Sequence, residues 1–105
     1  MDPHHGFPPG VRYTPVPNPL LGSLLQEIET LAELKCTLRA LVLIQQRRGQ
    51  RLWITEAELL SDTVLLGGLV HETGDAREAI RKGLRSAAER GTLLKVDKDS
   101  EALLF

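Results

Sequence analysis

All six prolines of this 105-residue chain lie at positions 3, 8, 9, 15, 17 and 19. Proline fixes φ and has no amide hydrogen to donate, so this stretch cannot run as a helix, and Gly6 and Gly10 loosen it further. Residues 1–18 are therefore expected to form an extended, polyproline-like arm. It should be least ordered near Met1 and best able to pack where Tyr13, Val16 and Leu20 offer apolar surface. Residues 19–105 are free of proline breaks beyond Pro19 itself, and they make up the expected globular domain.

Composition narrows the class of that domain. The chain is 42% hydrophobic and 26% charged, with 13 basic against 14 acidic residues and a formal net charge of −1, the profile of a single domain. No apolar run approaches the roughly 20 residues of a membrane span, and no charged-then-apolar leader opens the chain. One cysteine excludes an internal disulfide and fits a reducing cytosol, so a cytoplasmic location away from membranes is expected. Twenty leucines against four aromatics favour a helix-rich core and leave little for stacking on bases or sugars. The near-neutral balance argues against bulk polyanion binding, although a local patch can hide inside a neutral total.

Three helix starts share one grammar, a short polar residue that caps free amides and an acid three positions on: Thr30 with Glu33, Thr55 with Glu58, and Asp75 with Glu78. Asn18 before Pro19 is a fourth. A short helix is predicted over Pro19 to Ile28 and a second over Leu31 to about Arg48, ended by Gly49; a single helix over both is the alternative. Leu52, Trp53 and Ile54 read as a short strand and Glu56 to Leu60 as a small helix, with Asp62 placed to cap a further turn or two through Leu69. A helix over Ala76 to Arg90 is stopped by Gly91. Thr92 to Val96 and Glu101 to Phe105 form a β-hairpin around Asp97-Lys98-Asp99-Ser100.

This order, helices, a short strand, a short helix, a longer helix and a terminal hairpin, predicts a mainly α domain with a small β-hairpin (α+β), a winged helix. The Ala76, Ile80, Leu84 and Ala87 face should pack on the earlier helices. Leu93, Leu94, Val96, Leu103 and Leu104 should lay the hairpin over an open side of the core, with the strand at 52–54 pairing to it. The fifteen or so residues between the Glu56–Leu60 and Ala76 helices exceed the three or four of a compact helix-turn-helix, which makes Asp62 to Gly74 an insertion loosened by Gly67 and Gly68.

Within that fold the chain resembles the amino-terminal module of DnaD-type replication-initiation proteins, components of the primosome. The resemblance is carried by Tyr13-Thr-Pro-Val-Pro-Asn-Pro19, Leu31-Ala-Glu-Leu-Lys35, Glu58-Leu-Leu-Ser-Asp62 and Ala87-Ala-Glu-Arg-Gly-Thr-Leu-Leu94. It implies a winged helix that serves oligomerisation and protein assembly, a replication protein as partner, and a separate DNA- and partner-binding domain expected to follow.

Two sets of residues are candidates for contact. Arg77, Arg81 and Arg85 recur every fourth residue with Lys82 beside them, as a recognition helix in a major groove would present them, and Lys95 and Lys98 lie on the hairpin. From Arg77 to Lys98 there are seven basic and three acidic residues. A solvated face is the alternative, because Glu78 can pair with Arg81 and Lys82, Glu89 lies one turn past Arg85, and Asp97, Asp99 and Glu101 leave the wing net negative. The second set is apolar. The run from Leu20 to Ile44 offers more apolar positions than one helix side needs, with Leu24, Leu25, Leu31, Leu38 and Leu43 spread around the axis, and the arm with Phe7, Val11, Tyr13 and Val16 suits lying across a neighbour. Tyr13, Val16, Leu20, Leu21, Leu24 and Leu25 are therefore the interface candidates of a homodimer or higher oligomer, unless the arm covers its own domain's leucines.

Other residues attract plainer readings. Arg47, Arg48 and Arg51 suit a helix C-terminus, and Cys36 suits burial. His4 and His5 lack ligand-spaced partners, and His71 stands alone. No nucleophile elbow, phosphate loop or paired metal ligands occur, so no enzymatic activity, cofactor, metal or small-molecule substrate is expected.

Overall fold

Short polar side chains set four of the helix starts. Thr30 Oγ1 accepts from the Glu33 amide at 3.1 Å, Asp62 from Leu65 at 3.0 Å, and Asp75 from the amides of Arg77 and Glu78. Thr55 and Glu58 form a full capping box, each side chain taking the other's amide. In the computed structural model, which describes residues 7–47, 53–70, 75–99 and 101–105, these starts belong to a mainly helical α+β arrangement. Helices α1 (Asn18–Leu21), α2 (Ser23–Glu27) and α3 (Leu31–Gln46) precede strand β1 (Ile54–Thr55). Then follow α4 (Glu56–Leu60), α5 (Thr63–Leu69), α6 (Ala76–Arg90) and the hairpin of β2 (Lys95–Lys98) and β3 (Glu101–Leu104).

The first helical region departs from expectation. Asn18 lies inside α1, and Pro17 at the N-cap has no side-chain bond to offer. Gly22, with φ −123° and ψ −105°, breaks the stretch into two short helices, and Ile28 turns extended, so neither one short helix nor one continuous helix forms. Gly67 and Gly68 both lie within α5 rather than loosening its end. The predicted stop at Gly49, the strand residue Leu52, and His4, His5, Arg48, Arg51 and His71 fall outside the described residues.

Helix α6 packs on α3 along Ala79, Ile80, Gly83, Leu84 and Ala87, all buried. The approach is close because of Gly83: a Cβ there would stand 2.7 Å from the Ala32 carbonyl oxygen and 3.0 Å from Cys36 Sγ. Cys36, fully buried on α3, reaches the Ile80 carbonyl at 3.7 Å. Around this seam Ala40, Ile54, Leu59, Leu65, Leu69, Leu93 and Leu104 complete one core. Each leucine or isoleucine so buried is worth about 1.5–3 kcal/mol against exposure.

Gly91 ends α6 in the left-handed conformation at φ 84°, where a side chain would be strained. The chain then enters the sheet, whose order is β1-β3-β2, all antiparallel. Ile54 faces Leu104 and Thr55 faces Leu103 on one side of β3, while Lys95 faces Leu104 and Lys98 faces Glu101 on the other. After β2, Asp99 takes φ 51°, a conformation aspartate tolerates better than most residues. Leu93, Leu103 and Leu104 are buried as expected. Leu94 and Val96 are not: they are 64% and 47% exposed, because Leu94 opposes Phe105 and Val96 opposes Leu103 on the side of the sheet turned from the helices.

Candidate functional site

All six basic candidates, Arg77, Arg81, Lys82, Arg85, Lys95 and Lys98, are exposed. They do not form one surface. Arg81, Arg85 and Lys95 converge on a depression of about 310 Å³ between α6, α4 and β2, where Glu56 and Glu89 also stand. Lys82 lies on the other flank of α6, in a depression of about 430 Å³ shared with Arg85, Ser86, Thr30 and Leu31. Lys98 is separated from both, among Trp53, Val96, Leu103 and Phe105 on the outer side of the sheet, with Asp99 and Glu101 beside it. Strand alternation sets the two hairpin lysines apart: residues 95 and 98 differ by an odd number and point to opposite faces. Arg81 also approaches Glu78 at 3.8 Å, as its spacing predicted.

The apolar candidates divide as well. Leu20 is only 2% exposed and is spent inside its own domain, so it is unavailable to a partner. Val16 and Leu24 are half-buried. Tyr13 at 87% and Leu21 at 59% remain in solvent, together with Leu25 and Phe7. The arm itself docks on α3, where Gln45 Nε2 donates to the Pro15 carbonyl at 3.1 Å. Part of the arm therefore covers its own domain, and its aromatic residues do not.

Ion pairs that link distant elements escaped the sequence reading. Glu33, placed as a capping acid, is buried and accepts two bonds from the Arg90 guanidinium, at 2.6 and 3.0 Å. That carboxylate, with those of Glu27 and Glu29, raises the Arg90 pKa. Arg47 reaches Glu58 at 3.1 Å, in addition to any complement it offers a helix end. Arg39 pairs with Asp62 through two bonds, at 2.7 and 3.1 Å, which hold the Asp62 carboxyl below its ordinary range against the opposing effect of burial.

Arg39 also borders an apolar depression of about 330 Å³ between α3 and α5, lined by Leu38, Val42, Val64, Leu65 and Gly68. Lys35 closes one end by donating to the Gly68 carbonyl at 2.7 Å. The hydrophobic periodicity of α3 and α5 could have signalled this groove, had their packing been known. Burial pushes the Cys36 thiol up to about 12, which keeps it protonated and unreactive at neutral pH. Among the described residues no group of three or more His, Cys, Asp or Glu is arranged to hold a metal, and no helix is long and apolar enough to cross a membrane.

No family model matches the chain, and neither a curated protein nor a solved structure matches it.

Proposed function

We propose that the chain is a winged-helix assembly and oligomerisation module of a DnaD-like replication-initiation protein, with weak or no autonomous DNA binding and no catalytic role. The fold half of this proposal is supported by the run α3, β1, α4, α6, β2, β3 with sheet order β1-β3-β2, the arrangement in which a hairpin flanks a helix packed on its predecessors. The observation that carries the function is the apolar surface left over. Tyr13, Leu21 and Leu25 stay in solvent although Leu20 beside them is spent on the core. DNA binding is disfavoured because Glu56 and Glu89 stand within the depression where Arg81, Arg85 and Lys95 meet, and phosphate contact needs uncompensated positive charge. Light scattering over a concentration series should show self-association that weakens in Leu21→Ser/Leu25→Ser. A strict monomer at millimolar concentration overturns the proposal.

A second reading, a winged-helix transcriptional regulator binding DNA through α6, draws on the convergence of Arg81, Arg85 and Lys95. It requires that Arg81→Ala/Arg85→Ala weaken duplex binding and flatten its salt dependence. Equal affinity of variant and wild type removes it.

A further inference from the structure

We propose that strand β2 is a self-pairing edge: two copies of this chain join β2 to β2 antiparallel, about a two-fold axis at Val96, into one continuous six-stranded sheet. Among the described residues β2 pairs only with β3, and all four of its residues are exposed. Its other edge therefore presents backbone donors and acceptors that a further strand can take.

Backbone phase selects which residues can bond there. Leu94 and Phe105 exchange both backbone bonds, Leu94 N–H to Phe105 at 3.2 Å and Phe105 N–H to Leu94 at 3.0 Å. Antiparallel ladders alternate, so Val96 and Lys98 also turn their polar groups toward β3, while Lys95 and Asp97 turn theirs to the free edge. A symmetric partner strand must then oppose outward residues to outward residues, which permits an axis at residue 95, 96 or 97.

Charge decides among the three. An axis at Lys95 sets lysine against lysine, and an axis at Asp97 sets aspartate against aspartate. Centred on Val96, the same strand places Lys95 opposite Asp97 of the second copy and Asp97 opposite Lys95 of the second copy. Both pairs are hydrogen-bonded and of opposite sign, with the two valines between them. Leu94 then opposes the aliphatic stem of Lys98 of the second copy. On the exposed outer face Val96 then meets Val96 of the second copy, an apolar neighbour that the single copy withholds. A lysine on an edge strand ordinarily repels further strands; here the aspartate two residues on makes the edge self-complementary.

This inference deepens the assembly reading and rests on it. The test is a charge-swap cycle on the full chain, read by sedimentation equilibrium, with amide hydrogen exchange at low and high protein concentration and a thermal melt of each variant at low concentration. Lys95→Asp and Asp97→Lys each place like charges opposite one another twice per dimer and should weaken dimerisation about tenfold or more, while the double swap restores it. The amides of Lys95 and Asp97 should gain protection with concentration, and those of Val96 should not. All three variants alter exposed side chains and should melt as the wild type does. Association unchanged by either single swap, or a double swap as weak as the singles, overturns the β2 pairing and leaves the assembly reading standing. A wild type that stays monomeric overturns both.

Discussion

Between α3 and α6 the two backbones come so close that Gly83 has no room for a Cβ, whereas the neighbouring sheet leaves every residue of β2 in solvent. The seam is built from small residues, Ala79, Gly83 and Ala87 against Ala32, Cys36 and Ala40, and Ile80 and Leu84 fill what remains. The sheet is anchored on the helix side through Ile54 and Leu104, and its other face, where Leu103 is buried, carries Leu94, Val96 and Phe105 exposed. A region closed on itself holds the fold. A region half covered is free to serve contact, and the physical difference is whether each apolar side chain already has neighbours.

Substitutions on either side sharpen this contrast. Ile80→Ala opens a cavity in the seam and should cost about 2–5 kcal/mol in urea unfolding. A loss well under that range would mean the seam is less tightly packed than it looks. Gly83→Ala sets a methyl group against the Ala32 carbonyl. Overpacking of about 1–3 kcal/mol should exceed the roughly 1 kcal/mol that alanine gains in helix propensity, so a net loss is expected. A variant as stable as wild type would break the claim of close backbone contact.

Asp62→Asn tests the link from α3 to α5. Because Arg39 depresses the Asp62 pKa in the folded protein, the stability this pair contributes is fully present above the ordinary aspartate value of about 3.9 and is lost as pH falls through the lower folded value. The difference between wild type and variant should therefore stay level from neutral pH down to that region and shrink below it. A difference that grows on acidification would sink the assignment. Smallest of all, Lys98→Ala on the exposed outer side of the sheet should change monomer stability by no more than about 0.5 kcal/mol. A larger loss would show that the sheet is held by more than its inner face.

Much of the local structure was legible. Thr30, Thr55 and Asp75 cap where their spacing to Glu33, Glu58 and Glu78 places them, and Gly91 stops α6 as read. The pairing of β1 with the hairpin was also anticipated, since a lone hairpin is marginal. The candidate surfaces were less legible. Lys95 and Lys98 share one hairpin in the sequence, but strand phase puts them on opposite faces, and Leu20 stands among the same apolar candidates as Leu21, but it is buried while Leu21 is exposed.

Caps, breaks and amphipathic faces follow from the sequence by itself, because each depends on neighbours within a turn or two. Only the tertiary structure decided that Glu33 answers Arg90, that Arg39 answers Asp62, that Gly83 is a point of contact rather than a weak place in a helix, and that β2, among the described residues, pairs with β3 alone. Those outcomes turn on how closely two helices cross and on which side of a sheet the helices lie, and residue spacing along one element encodes neither.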